Sequence, residues 1–377
     1  MTTIQTILAI AASKSWPLHQ MDVKNAFLHG DLKEEIYMKL PSSMTTSSPN
    51  DVCKLRRSLY RLKQALRAWF EKFHTTLLNF SFTQSQYDYS LFFHKSLTGI
   101  VLILVYVDDL IITGTDTRLI TKLQVMLHAT FCMKDLGQLT YFLGLEVHHR
   151  SNGIYLNQHK YIQDLITLVG LEGTTSVDIP MEVNVKYRKD EGDLLADPTI
   201  YRGLVGSLIY LMTNRLDISY VVHQVSQFMS SPQHLHFAAI RRIIRYLIGS
   251  PTRGLFFPRG SPLQLLAYSD ADWARCPDTR RSTTGWCMFL DGAFISWKCK
   301  KQDRVSKSFT EAEYRSMSSA CSEIVWLHCL LEELGFSQPD STPLHADNTS
   351  AIQIASNLVF HEHTKHIEVD VTILGKP

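Results

Sequence analysis

Two groups of carboxylates carry the chemistry that this sequence can perform. In the first, Val101–Leu102–Ile103–Leu104–Val105–Tyr106–Val107–Asp108–Asp109–Leu110–Ile111–Ile112 sets two adjacent acids between two apolar runs. A hairpin turn is the plain reading, yet Asp-Gly or Asn-Gly would serve a turn better than two mutually repelling charges. A bound divalent cation would remove that repulsion. Asp22, in Leu18–His19–Gln20–Met21–Asp22–Val23–Lys24–Asn25–Ala26–Phe27, ends another expected strand just before an expected helix. It reads either as a helix cap or as a metal ligand. Asp22, Asp108 and Asp109 together supply three acids from strand ends. A two-metal phosphoryl-transfer site, with cations about 3.5–4 Å apart, requires such a set. The second group is Asp270, Glu313 and Asp347. Asp270 follows Leu263–Gln264–Leu265–Leu266–Ala267–Tyr268–Ser269, an expected strand. Glu313 lies in Thr310–Glu311–Ala312–Glu313–Tyr314 near the start of an expected helix, and Asp347 follows a further strand and precedes Asn348. Taken singly, each reads equally as a surface carboxylate or a cap.

Positioning these acids takes stretches of different character. Residues 1 to about 175 alternate short apolar strands with helical stretches, the mark of an α+β or α/β domain. Within them, residues 100–107 form a buried strand, far short of the roughly 20 residues that a membrane span requires. Residues 1–12 read as an amphipathic helix with Ile4, Ile7, Leu8 and Ala11 on one face. No Lys or Arg precedes that run and no cleavage site follows it, so a signal peptide is the poorer reading. A turn-rich passage over 170–198 holds Pro180 and the charged run Lys186–Tyr187–Arg188–Lys189–Asp190–Glu191. Residues 201–249 turn helical, with Arg241, Arg242 and Arg245 on a basic stripe. A proline- and glycine-rich joint over 250–262 introduces the last region. That region holds a strand, a hairpin around Asp291–Gly292, a long helix over 310–334, a strand ending at Asp347 and another helix.

Asp22–Val23–Lys24–Asn25–Ala26–Phe27–Leu28–His29–Gly30–Asp31–Leu32 and Tyr106–Val107–Asp108–Asp109 resemble the two palm signatures of copia-type reverse transcriptases. Leu62–Lys63–Gln64–Ala65–Leu66–Arg67–Ala68–Trp69 is similar to that family's nucleotide-binding helix motif. Leu136–Gly137 to Glu146 looks like its primer-grip hairpin, and Tyr201–Arg202–Gly203–Leu204–Val205–Gly206–Ser207–Leu208 like its connection segment. The order strand-end acid, helix acid, strand-end acid in Asp270, Glu313 and Asp347 resembles the ribonuclease H domain of the same elements. Glu313 suits the helix position better than Glu311, because the following Tyr-x-x-Met matches the family's spacing.

The resemblance implies an α+β / α/β multidomain chain. Its parts would be a reverse transcriptase palm and thumb over 1–175, without the fingers that precede them in the family, a helical connection segment over 176–262, and a ribonuclease H domain of mixed sheet and helices over 263–377. It further implies that Asp22, Asp108 and Asp109 bind two Mg2+ ions, with Mn2+ as the alternative. Phe27, five residues after Asp22, would select deoxynucleotides, and Gln64 would contact the incoming nucleotide. Asp270, Glu313 and Asp347 would hold a second pair of ions. Either Glu368 or Asp370, in Thr364–Lys365–His366–Ile367–Glu368–Val369–Asp370, would be the fourth acid. His361, His363 and His366 lack a fourth ligand close in sequence, so a polar loop is a better reading than zinc. Implied partners are an RNA template, a DNA primer, an RNA–DNA hybrid and deoxynucleoside triphosphates. The sequence departs from the family where Arg61 replaces a usual glycine, Leu66 a usual proline, and Leu216 the proline of Arg-Pro-Asp-Ile. After Asp370 the family's ending is not followed.

Composition adds limits of its own. Hydrophobic residues at 45% and charged residues at 20% of 377 describe globular material with room for two or three cores. The net charge of +2, from 38 basic and 36 acidic residues, does not decide about nucleic acid, because clustered acids offset a basic surface. Seven cysteines without a CxxC pair suggest reduced thiols. The expected setting is intracellular, in a cytoplasmic particle or the nucleus, with no membrane partner and no secretion.

Overall fold

The computed structural model describes residues 1–41, 43, 51–183 and 185–356. Contacts group the chain into two units, Trp16–Leu139 and Met1–Ser15 with Thr140–Pro377. The chain opens on α1 (Thr2–Lys14), and here the structure corrects the amphipathic expectation. Residues 3–13 are all buried, polar Thr3, Gln5, Thr6 and Ser13 included. Its polar side chains are partly satisfied inside the fold: Gln5 Nε2 donates to the Thr213 carbonyl and Ser13 Oγ to the Ser261 carbonyl.

The unit Trp16–Leu139 contains β1 (Leu18–Val23), β2 (Asp31–Lys39), β3 (Val52–Arg57), α2 (Ala65–Asn79), β4 (Thr83–Gln84), β5 (Leu91–Ser96), β6 (Gly99–Tyr106), β7 (Asp109–Gly114), α3 (Thr117–Phe131) and β8 (Met133–Gln138). Six of these strands form an antiparallel sheet in the order β4-β5-β6-β7-β1-β8, while β2 and β3 pair separately. Trp69, Phe73 and Leu77 recur every fourth residue on α2, and Ile120, Leu123, Leu127 and Phe131 follow the same stripe on α3. Both stripes bury against Val101, Ile103 and Val105 of β6. Each such side chain contributes roughly 1.5–3 kcal/mol of burial. Leu102 and Leu104 are buried as well, so β6 reads as an unbroken apolar run instead of an alternating one.

The second unit continues with β9 (Tyr141–Phe142), β10 (Leu145–Arg150), β11 (Gly153–Asn157), α4 (His159–Val169), α5 (Thr199–Leu211), α6 (Ser219–Ser226), α7 (His234–Gly249) and β12 (Leu255–Pro258). It ends with β13 (Leu265–Ala271), β14 (Thr283–Leu290), β15 (Ala293–Lys301), α8 (Phe309–Leu334), β16 (Leu344–His345) and α9 (Thr349–Ser356). Helices α4 to α7 share one core, with Ile162, Leu208, Val222 and Ile244 at 0% exposure. The expected basic stripe on α7 is partly engaged: Arg242 pairs with Glu182 at 3.1 Å and Arg245 donates to the Thr175 carbonyl.

One sheet runs β12-β11-β10-β9 and another β15-β14-β13-β16, the last pair parallel. Helix α8 starts where Ser308 accepts the Glu311 N–H and stops at Gly335, whose φ of 88° suits only glycine without strain. Ser316 Oγ of α8 donates to the Asp270 and Gly285 carbonyls at 2.7 and 3.1 Å, seating the helix on β13 and β14. All seven cysteines are free. Among the described residues, no helix is long and apolar enough to cross a membrane.

Candidate metal centre

Asp270 stands near the end of β13, Glu313 in the second turn of α8 and Asp347 just past β16. Each offers one carboxylate oxygen, and these oxygens lie within 4.8 Å of one another. Among the described residues no other three acidic, histidine or cysteine side chains gather in this way. The local reasons are visible. The parallel β13–β16 pairing sets Tyr268 against His345, which brings the following acids side by side. Ser316 draws α8 down so that Glu313 reaches them from below the strand end.

Glu313 is fully buried. Burial pushes its carboxyl up to about 7; the Ala271 N–H opposes the rise, and the charges of Asp270 and Asp347 add to it. Glu313 Oε1 accepts that N–H at 3.1 Å, whereas Oε2 has no protein partner. An orphaned buried carboxylate oxygen beside two more acids is a site that a hard divalent cation completes, with oxygen ligands throughout. The residues present therefore fit such an ion. Glu311 has other work, since it accepts the Lys307 N–H at 2.7 Å and pairs with Arg315 at 2.7 Å.

The first acidic set is held differently. Asp22 lies opposite Asp109 in the β1–β7 register, and Asp108 sits in the two-residue turn joining β6 to β7. Asp108 is exposed, while Asp22 and Asp109 are half-buried. Burial raises the Asp109 carboxyl, a 3.4 Å hydrogen bond from Gln20 counters it, and the Asp108 and Asp22 charges raise it further. The three acids thus share one end of the sheet's inner strands without gathering as closely as the second set. Asp22 caps no helix; the short 3-10 turn Ala26–His29 has Asn25 at its N-cap.

The turn between the strands places Val107 at φ 57°, a left-handed conformation that favours glycine and is strained for a β-branched residue. Two contacts hold it there: Trp69 Nε1 donates to the Val107 carbonyl and the Val23 N–H to the Asp108 carbonyl, both at 2.8 Å. Gly30 allows α2 to come this near, because a Cβ there would stand 2.7 Å from the Trp69 nitrogen.

Phe27 is half-buried in the Ala26–His29 turn, edge-on to Tyr60 at 5.4 Å, with its carbonyl accepting from Ser58 Oγ. Gln64 immediately precedes α2, half-buried and without a capping bond. Glu368, Asp370 and the three nearby histidines lie outside the described residues. Sequence reasoning passed over Tyr268, which lines a cavity that Asp270 and Asp347 also border. Tyr268 was open to discovery, because it is two residues from Asp270 on one strand and so shares its face.

The family model for reverse transcriptase (RNA-dependent DNA polymerase) matches residues 1–183. The chain is 44% identical over 370 residues to the retrovirus-related Pol polyprotein from transposon RE1 of Arabidopsis thaliana, covering 98% of this chain and 25% of that protein. Against the corresponding polyprotein from transposon TNT 1-94 of Nicotiana tabacum, identity is 38% over 382 residues, with 98% and 28% covered. A transposon Ty5-1 protein of Saccharomyces cerevisiae is 33% identical over 308 residues, 81% of this chain and 100% of that protein. The chain thus spans about a quarter of the length of the curated polyproteins it matches.

Proposed function

The chain belongs to the reverse transcriptase family of copia-type retrotransposon Pol polyproteins, and on that premise we propose that it combines an RNA-directed DNA polymerase with a ribonuclease H acting on RNA–DNA hybrids. In this reading residues 1–175 form the palm and thumb, 176–262 the connection and 263–377 the ribonuclease H domain. The observation that carries it is the convergence of Asp270, Glu313 and Asp347 around an unpartnered buried oxygen.

Asp270, Glu313 and Asp347 would hold the cations of the hydrolytic site, and Asp22, Asp108 and Asp109 those of the polymerase. Mg2+ or Mn2+ bound in pairs there would activate the attacking oxygen and neutralise the phosphate charge. The protein's part is to hold the ligands. Ala271 fixes one oxygen of Glu313, Ser316 ties α8 to the Asp270 backbone, and Trp69 and Val23 brace the turn bearing Asp108. Phe27 would exclude a 2′-hydroxyl and Gln64 contact the incoming deoxynucleoside triphosphate. An intracellular setting, in a cytoplasmic particle or the nucleus, belongs to the same proposal.

We expect the purified chain to cleave the RNA strand of a hybrid in Mg2+ or Mn2+ and to leave single-stranded RNA intact. Asp347→Asn keeps the shape but loses the charge, and should abolish cleavage. An Asp347→Asn protein as fast as its parent would overturn the assignment. A second reading has one observation of its own in the polymerase half: Arg61, where the family has glycine, sits at φ 71°. That half would then bind primer and template without extending the primer.

A further inference from the structure

Glu313 reaches Asp270 and Asp347 from a helix, so its place depends on how the start of α8 is held to the sheet. One attachment lies three residues further along, where Ser316 Oγ donates to the Asp270 and Gly285 carbonyls. A helix held at one point can still pivot about it. The ligands of a cation, by contrast, must stand within a few tenths of an ångström of their places. A second attachment on the other side of Glu313 would remove that freedom.

Gln302 supplies it. This residue follows the last of β15, and its backbone N–H donates to the Ser282 carbonyl at 2.8 Å. Its side chain leaves the sheet for the helix. Nε2 donates to the Ala312 carbonyl at 2.9 Å and to Thr284 Oγ1 at 3.1 Å, while Oε1 accepts from Ser306 Oγ at 2.7 Å. Gln302, Thr284, Ser306 and Ala312 are all buried, so water does not compete for these bonds. A carbonyl only accepts, so the amide cannot turn over without setting Oε1 against the Ala312 oxygen. Both partners of Nε2 adjoin the acid. Ala312 is the residue before Glu313. Thr284 stands opposite Ala271 in the β13–β14 register, and the Ala271 N–H binds Glu313 Oε1. The Gln302 amide thus joins the backbone that carries Glu313 to the strands that receive it.

We infer that Gln302 is a positioning residue of the acidic centre: through Ala312 it fixes the height of Glu313 over Asp270, and with it the affinity of the three carboxylates for divalent cations. Only the link to cation affinity rests on the proposed metal site; the hold on Glu313 does not.

Three variants of the full chain test this. Gln302→Met keeps most of the volume and loses the donor, and Gln302→Asn keeps an amide too short to reach Ala312. Ser306→Ala opens the same network on the far side of the amide and leaves the Ala312 bond in place. In metal-free protein labelled at its alanine amides, the Ala271 resonance is assigned by its loss in Ala271→Gly. It should move upfield in both Gln302 variants, because the Glu313 bond lengthens, and stay in place in Ser306→Ala. Mn2+ affinity, read by water-proton relaxation, should fall about tenfold in the Gln302 variants, the scale expected when a ligand loses its support. In Ser306→Ala it should hardly change, although urea denaturation shows a comparable loss of stability. Should Gln302→Met fail to fold, the milder Gln302→Asn carries the comparison. An Ala271 resonance unmoved by both Gln302 changes would overturn the inference. So would Mn2+ affinity that falls in all three variants in proportion to their lost stability, since Gln302 would then be structural only. Were Mn2+ affinity unchanged in Asp347→Asn while the Ala271 resonance still moved, the cation reading would fail and the hold of Gln302 on Glu313 would stand.

Discussion

The two acidic sets contain three carboxylates each but are built on opposite plans. Asp22, Asp108 and Asp109 stand on strand ends and a two-residue turn, so local backbone geometry sets their positions. That geometry holds Val107 in a conformation suited to glycine and leaves Asp108 in solvent. Asp270, Glu313 and Asp347 come from two strands and a helix, and the buried member comes from the helix. Burial allows three acids within 4.8 Å because one of them holds a proton near neutrality until a cation replaces it. The turn-borne acids stay farther apart; the helix-borne acid is buried under a strand end, close to two others.

The largest expected effect lies in the buried ion pair Arg215–Asp217, in the unit that also carries the second set. Arg215 is fully buried, and Asp217 accepts two of its N–H groups at 2.9 and 2.8 Å and the Tyr246 hydroxyl at 2.7 Å. Asp217→Ala should cost about 3–5 kcal/mol, because it leaves a buried cation unpaired. Urea denaturation should show this loss. Burial raises the Asp217 carboxyl, but the Arg215 bond and charge, the Tyr246 bond and Arg253 outweigh it, so its pKa ends below the usual value. The contribution is thus complete above the unfolded pKa of about 3.9 and fades as pH falls through the lower folded value. Parent and variant should converge in strong acid. A variant as stable as the parent at pH 7 would show that the Arg215–Asp217 pair supports nothing.

A smaller effect separates the two sets directly. Glu313 rises from 4.5 to about 7, so between those pH values the unfolded chain has lost a proton that the folded chain retains. Without divalent cations stability should therefore fall as pH rises through this window. Glu313→Gln should remove the slope and stabilise the metal-free protein at pH 8 by roughly 1–3 kcal/mol. Mg2+ or Mn2+ should stabilise the parent at pH 8 but not the variant. Asp109→Asn should change the slope in the same sense and by less, since Asp109 is only half-buried. Equal slopes for the two variants would erase the contrast.

The smallest effects lie in the first set. Val107→Gly and Arg61→Gly each relieve a left-handed residue at 57° and 71° and should stabilise by roughly 0.5–1 kcal/mol, the relief being partly offset by glycine's greater freedom when unfolded. Thermal midpoints lower than the parent's would show that these positions carry no strain.

Much of this was legible in the residues. The apolar run of β6, the hairpin at Asp291–Gly292 and the long α8 follow from local pattern, because period, turn chemistry and caps act over a few residues. The motifs around Asp22, Asp108, Asp109 and Asp270 could likewise be found by eye. The amphipathic reading of residues 1–12 failed because burial of α1 on every side depends on elements more than two hundred residues away, among them Thr213 and Ser261.

By itself, the sequence determined the family, the two acidic sets and the order of the elements carrying them, since each is written in contiguous residues. Only the tertiary structure decided that Glu313, which the family spacing already favours over Glu311, is fully buried with a carboxylate oxygen within 4.8 Å of those of Asp270 and Asp347. It alone left one buried Glu313 oxygen without a partner beside them. The physical reason is the same in each case. Closeness, burial and the lack of a partner are set by chain segments far apart in sequence, and no local pattern encodes a distance between them.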